Sequence, residues 1–186
     1  VDDPVTADRA AKFDRLVLPR LGDGFRLARW LTGNQADAED VMQEAALRAF
    51  LAMDRLVEDN VRAWFLTVVR NTCYSWLAKN RPGINLSVEE LIPQDKDLME
   101  RGGLIAEPVA SIEEALIAKD RAAWLTRAID RLPLSMKEVV VLRDYYDLSY
   151  REIAEVSGVP IGTVMSRLAR ARQHLLKAIE LADDDT

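Results

Sequence analysis

The stretch from Leu148 to Leu175, LSYREIAEVSGVPIGTVMSRLARARQHL, leaves this chain the fewest choices of fold. Ser149 with Glu152 three residues later forms a capping box, which starts a helix at Tyr150. Ile153, Ala154 and Val156 give that helix a buried side, and Gly158 supplies the left-handed conformation that stops it. Pro160 then presets φ at or near the first turn of a second helix. Along it Val164, Leu168, Ala171 and Leu175 recur at helical spacing and face inward. At about 100° per residue, the opposite face carries Gly162, Thr163, Ser166, Ala169, Arg170 and Gln173, flanked by Arg167 and Arg172. Between Thr163 and Lys177 stand four basic residues (Arg167, Arg170, Arg172, Lys177) and no acid. Small residues let such a helix lie close inside a major groove, while guanidinium groups reach phosphates or guanine edges. The pattern predicts a DNA-reading helix-turn-helix. The plainer alternative is a helical hairpin whose basic face is solvated.

Strand-like alternation is scarce, and Ala, Leu, Arg and Glu dominate a chain of 186 residues with 49% apolar and 30% charged residues. The expected class is all-α, in one or two domains. A single cysteine, Cys73, excludes an internal disulfide and suits a reducing compartment. One histidine, His174, beside that one cysteine argues against a zinc site and against Cys/His nucleophilic chemistry. No other metal, cofactor or paired-carboxylate constellation is apparent, so neither an enzyme nor a small-molecule substrate is expected. No apolar run approaches the ~20 residues that span a bilayer, and the acidic start VDDPVTADR is no signal peptide. A cytoplasmic chain without direct membrane insertion is the expectation.

A net charge of −6 suits a DNA-binding protein poorly, so its distribution matters more than its sum. Asn85 to Asp120 holds nine acids (Glu89, Glu90, Asp95, Asp97, Glu100, Glu107, Glu113, Glu114, Asp120) against three bases (Lys96, Arg101, Lys119), a net of −6. Val61 to Ile84 holds Arg62, Arg70, Lys79 and Arg81 with no acid, a net of +4. Two basic surfaces thus flank an acidic connector.

Before the connector, residues 8–32 predict two helices broken near Pro19 to Gly24, the second ended by Thr32-Gly33-Asn34. Next, QADAEDVMQEAALRAFLAMDRL carries a helical apolar stripe (Ala38, Val41, Met42, Ala45, Ala49, Phe50, Met53), with Asp37, Glu39, Asp40 and Glu44 crowding its first half. Those acids are either a solvated face or a docking face for a basic partner. Asn60 can cap the following helix, VRAWFLTVVRNTCYSWLAKNRP. Trp64, Phe65, Val68, Val69, Cys73, Trp76 and Leu77 are mostly its core side; Arg62, Arg70, Asn71, Tyr74, Ser75, Lys79 and Arg81 lie on other faces. Such a mixture of bases, amides and an aromatic suits single-stranded nucleic acid, and equally an ordinary amphipathic helix. From Arg81-Pro82-Gly83 to about Ser111 the chain is polar, acidic and punctuated by Pro and Gly, which predicts an interdomain linker. Ile112 to Arg131 returns to helix and ends at Pro133. Ser135 and Glu138 then suggest a second capping box, opening a helix from Met136 to Tyr146.

These residues bring a family into view. LPLSMKEVVVLRDYYDLSYREIAEVSGVPIGTVMSRLARARQHL closely resembles the second conserved domain of the extracytoplasmic-function (ECF, group IV) sigma factors of bacterial RNA polymerase, within the sigma-70 family. LTGNQADAEDVMQEAALRAF followed by VRAWFLTVVRNTCYSWLAKNRP resembles their first. The resemblance implies two helical domains joined by an acidic flexible linker: region 2-like over 1–82, linker over 83–110, and a four-helix, region 4-like helix-turn-helix domain over 111–182. It implies an alternative sigma factor in a stress response, with core RNA polymerase (β′ clamp helices and β subunit), promoter DNA and an anti-sigma factor as partners. Asp37, Asp40, Gln43 and Glu44 match the attachment to the clamp helices. Arg62, Trp64, Arg70, Asn71, Tyr74, Lys79 and Arg81 fall in the stretch that recognises the minus-ten element on the non-template strand. Thr163, Ser166, Arg167, Arg170 and Arg172 lie on the reader of the minus-thirty-five element.

The chain also departs from the pattern. Members often carry an Asp four residues after the Asn and a run of arginines beyond; here those places hold Ser75 and Lys79-Asn80-Arg81. The departure bears on the strength of minus-ten recognition and keeps two rivals in view. One is a sigma-like mimic in an anti-sigma partner switch. The other is a dimeric helix-turn-helix regulator on palindromic half-sites.

Overall fold

A computed structural model describes residues 4–56, 58–82 and 123–183. The expected linker 83–110, and the expected helix from Ile112 up to residue 122, lie outside the described residues. Among the described residues the chain is helical with no strand. Helices α1 (Pro4–Leu16), α2 (Leu21–Thr32), α3 (Gln35–Leu51) and α4 (Val61–Asn80) form the N-terminal half. Four further segments make the C-terminal half: α5 (123–130), α6 (Leu134–Val140), α7 (Tyr150–Ser157) and α8 (Ile161–Asp183).

Local chemistry sets most of the helix ends. Gly33, at φ 83°, ends α2, and the Asn34 side chain accepts from the Asp37 N–H to start α3. Asn60 caps α4 in the same way through Ala63 N–H. The break between α1 and α2 falls earlier than the Pro19–Gly24 expectation, in a 3-10 turn over Leu18–Arg20. Pro19 fits that turn because a missing N–H and a fixed φ cost nothing in a first turn. Gly22 and Gly24 lie inside α2, and Gly24 is there to be small. A Cβ added to it would stand 2.7 Å from Phe65 Cε1 and 3.0 Å from Val69 Cγ2. The close approach of α2 to α4 therefore depends on the missing side chain.

The core follows the expected stripes. Leu27, Ala28, Ala38, Val41, Ala45, Ala49, Phe65, Val69, Cys73 and Leu77 are fully buried, where α2, α3 and α4 pack on one another. In the C-terminal half Val139, Leu142, Ile153, Val164, Leu168 and Ala171 do the same. The two halves are also packed together, α4 on α7 and α2 on α6, and their buried apolar side chains join one cluster.

The expected capping box at Ser135 and Glu138 does not form. Pro133 is the N-cap of α6, so the third helical residue is Met136 and Glu138 lies two places further on. The helix then widens into a π turn over Val141–Tyr145, where Tyr146 N–H reaches back five residues to the Val141 carbonyl. That extra residue turns Tyr146 inward, leaving it 2% exposed.

Gly24→Ala sets two effects against each other. A first-turn alanine gains less than the ~1 kcal/mol of an interior helix position, whereas overpacking a fixed ring costs about 1–3 kcal/mol. The variant is expected to unfold at a lower denaturant midpoint with an unchanged slope. A midpoint equal to the parent's would show that Phe65 yields to the added methyl.

Candidate nucleic-acid interface

The C-terminal pair α7–α8 has the predicted helix-turn-helix geometry. Ser149 Oγ accepts from Glu152 N–H while the Glu152 carboxylate accepts from Ser149 N–H at 2.8 Å, closing the box in both directions. These bonds from Ser149 hold the Glu152 carboxyl below its ordinary range, so it stays charged at the helix start. Gly158 stops α7 at φ 67°. Pro160 stands immediately before α8, its carbonyl taking the N–H groups of Thr163 and Val164. Arg143 braces the turn into α7 by donating to the Leu148 carbonyl at 2.9 Å and lying over the Tyr150 ring.

On α8, Val164, Leu168 and Ala171 are buried and Leu175 packs against the core. Gly162 and Gln173 are exposed; Thr163, Ser166, Arg167, Ala169, Arg170 and Arg172 are partly so. A side chain at Gly162 would meet only open space, which leaves this end of the helix free to approach a groove. Ser166 donates its hydroxyl to the Thr163 carbonyl at 3.0 Å. Burial raises the Asp144 carboxyl, against the opposing pull of Arg172 and Arg143.

On α3, Asp40, Gln43 and Glu44 are exposed together. Leu47 and Leu51, 54% and 61% exposed, continue the same face towards the C-terminus. Sequence reasoning missed these two leucines. The signal was their spacing of seven and eleven residues from Asp40, which sets them outside the buried stripe. Asp37 is only partly exposed and is held by Arg81, whose guanidinium also donates to the Thr32 carbonyl at 3.1 Å. Asp37 and Arg81, expected on two different binding surfaces, thus pin the end of α4 to the α2–α3 turn.

The remaining α4 residues divide. Asn71 and Lys79 are exposed, and Trp64 packs partly buried against the core. Arg62, Arg70 and Tyr74 instead line an edge that faces the C-terminal half. Arg62 lies 5.5 Å from the Tyr146 ring centroid and 3.5 Å from the Asp23 carboxylate. Arg70 Nε donates to Glu138 Oε1 at 2.6 Å, and its guanidinium stacks 3.8 Å over the Tyr74 ring. The Tyr74 hydroxyl donates to Glu138 Oε2 at 2.7 Å. Burial opposes the Arg70 charge, but the Glu138 carboxylate more than offsets it, so the guanidinium stays firmly protonated. Burial and then the Glu138 charge push the Tyr74 hydroxyl well above its ordinary range, and the Cys73 thiol up to about 12. Among the described residues no cluster of three or more His, Cys, Asp or Glu side chains could hold a metal ion. None of the helices there is long and apolar enough to cross a membrane.

This geometry meets its relatives in two blocks. The Sigma-70 region 2 model matches residues 16–82, and the Sigma-70, region 4 model matches residues 122–175. The chain is 33% identical over 172 residues to the ECF RNA polymerase sigma factor SigE of Mycolicibacterium smegmatis, covering 91% of this chain and 63% of that protein. It is 31% identical over 139 residues to the ECF RNA polymerase sigma-E factor of Escherichia coli K12, covering 74% and 71%. With the ECF RNA polymerase sigma factor SigW of Bacillus subtilis the identity is 28% over 156 residues, covering 83% and 82%. The chain therefore spans less than two-thirds of the mycobacterial protein and more of the other two. The fold is similar to that of the sigma factor RpoE from Bartonella quintana, solved in complex with the anti-sigma factor NepR. There the TM-score is 0.64 at 24% identity, over 90% of this chain and 96% of that one. CnrH, solved with the cytosolic domain of CnrY, gives 0.61 at 22% identity, over 97% and 96%. This chain belongs to the ECF sigma factors of RNA polymerase.

Proposed function

We propose that this chain is an alternative sigma factor that binds core RNA polymerase and directs initiation at a set of promoters, under the control of an anti-sigma protein. The observation that carries the reading is the presence of both sigma regions on one chain, with the acid-free face of α8 turned outward. In this reading α8 enters the major groove of the minus-thirty-five element through Thr163, Ser166, Arg167, Arg170 and Arg172. Helix α4 meets the non-template strand at the minus-ten element through Arg62, Trp64, Arg70, Asn71, Tyr74 and Lys79. Arg81 acts there by positioning the end of α4 rather than by reaching DNA, and Asp37 supports the turn into α3 in the same way.

The outer face of α3 supplies the attachment to polymerase. Asp40 and Glu44 complement a basic helical surface, and Leu47 and Leu51 add apolar area where charges alone would be screened by salt. Region 2 corresponds to 1–82 and region 4 to 111–182, with the acidic connector between them. The chain needs no chemistry of its own: it positions DNA for an enzyme that polymerises. Two modest DNA contacts on one polymerase-bound chain gain from effective concentration, and an anti-sigma protein covering either one removes that gain.

Two measurements test this. Charge reversal at Asp40 and Glu44 is expected to weaken binding to purified core polymerase and to abolish run-off RNA at limiting concentration, with the circular dichroism melt unchanged. Undiminished core binding would remove those residues from the docking face. Arg170→Ala is expected to cost ~1–3 kcal/mol of discrimination at one minus-thirty-five position in run-off transcription from a promoter library. A loss equal across all sequences would make Arg170 a phosphate contact instead.

A further inference from the structure

The residues assigned to groove reading on α8 are polar or basic, yet the helix opens on hydrocarbon. Ile161, its first residue, is 45% exposed, and Met165, one turn on, is partly exposed. Neither closes the core at this end. Val159, just before Pro160, packs inward there, and Val164 is fully buried. Among the described residues that join the core, α8 contributes Val164, Leu168, Ala171 and Leu175, and not Ile161 or Met165. Their phase says what they stand beside. Residues four apart on a helix fall on one ridge, so Ile161, Met165 and Ala169 run alongside Gly162, Ser166 and Arg170. The accessible side of α8 thus carries two neighbouring ridges, one of hydrocarbon and one bearing a hydroxyl and a guanidinium. Thymine presents a matching pair in the major groove, a C5-methyl group beside the O4 acceptor, and no other DNA base offers the methyl. Duplex DNA fits this ridge better than a protein partner does. Arg167, Arg170 and Arg172 surround it without an acid, and the open space at Gly162 admits a close approach. The first residues of a recognition helix are also the ones that meet base edges.

We propose that Ile161 and Met165 form a methyl-reading ridge, which contacts the C5-methyl groups of thymines in the minus-thirty-five element. The proposal rests on the reading of α8 given above and adds two specificity-determining residues to it. Arg170, on the adjoining ridge, meets acceptors of the same base pairs or the nearby phosphates. Cytosine in place of such a thymine is then rejected twice, because it lacks the methyl and turns an amino donor towards the guanidinium. Covering one methyl group is worth about fourfold in affinity. That is enough to rank promoters, while the arginines hold the duplex through charge. The two side chains differ in strictness. Ile161 is β-branched and stiff, so it fixes thymine at one position, whereas unbranched Met165 adapts to a methyl at either of two neighbouring ones.

The test uses the full chain with core polymerase on the strongest promoter that a library returns. Each thymine of the minus-thirty-five element, on either strand, is replaced in turn by deoxyuridine. That exchange removes the methyl, keeps every hydrogen-bonding group and needs no altered protein. Run-off RNA at limiting holoenzyme is expected to fall about fourfold for at least one replacement. Ile161→Ala and Met165→Ala, checked for an unchanged circular dichroism melt, are expected to lose a similar factor on the thymine template. Neither should lose more when deoxyuridine stands at its matching position, which is the signature of a direct contact in a double-mutant cycle. Ile161→Val is expected to keep most of the parent's sensitivity. An element without thymine, or a parent indifferent to every deoxyuridine, overturns the proposal. So do equal deoxyuridine losses in the parent and both variants, which would assign the methyl effect to duplex shape. Weaker core binding by Ile161→Ala, with no dependence on promoter sequence, would place the ridge against protein and overturn it as well. Each of these results counts against the ridge alone as long as Arg170→Ala still alters discrimination at the element. If neither Arg170→Ala nor the sequence of the element changes run-off RNA, the reading of α8 has failed and the ridge falls with it.

Discussion

A buried carboxylate constrains this structure more than any other single group. Taking Glu138 out of water costs on the order of several kcal/mol, and only well-placed partners offset that. Arg70 and Tyr74 are those partners, and both belong to the other half of the chain. The consequence reaches backwards through the fold. Arg70 and Tyr74 must sit one turn apart on α4, and α4 must lie close against α2, which the bare backbone at Gly24 allows. It reaches forwards as well, because the π turn after α6 brings Tyr146 down onto α2 beside the same junction.

Buried ion pairs of this kind contribute little net stability, since attraction and desolvation nearly cancel, but they are selective about what replaces them. The acidic and apolar face of α3 stays outward, and the basic face of α8, set by its capped partner α7, is partly exposed.

Much of this was legible in the residues. Ser149 and Glu152, Gly158 and Pro160 specify α7, its stop and the start of α8 by local rules, and the structure follows them. Asn60 announces α4 in the same way, whereas Asn34, read only as part of the stop after α2, also caps α3. The misses share one cause, which is tertiary override of a local signal. Ser135 and Glu138 have capping-box spacing, yet Pro133 takes the cap and the junction takes the carboxylate. Pro19 to Gly24 looks like one long break, yet only a 3-10 turn breaks the chain, and Gly24 serves the packing of α2 on α4. Arg70 and Arg81 count equally as basic residues in sequence, but one faces Glu138 and the other Asp37. A list of charges cannot say which are already paired. Leu47 and Leu51 already fall outside the apolar stripe in the sequence; what was passed over is that they share the outward face with Asp40 and Glu44.

The most direct test of the account is a distance. Spin labels on Lys79→Cys and Gln173→Cys, both exposed positions, report the separation of α4 and α8 by pulsed electron resonance. Buried Cys73, its thiol pushed up to about 12, stays unlabelled. The free chain is expected to give one short, narrow distribution that lengthens when core polymerase and promoter DNA are added. A free chain already broad and long, or a distribution that polymerase and DNA leave unmoved, would contradict the account.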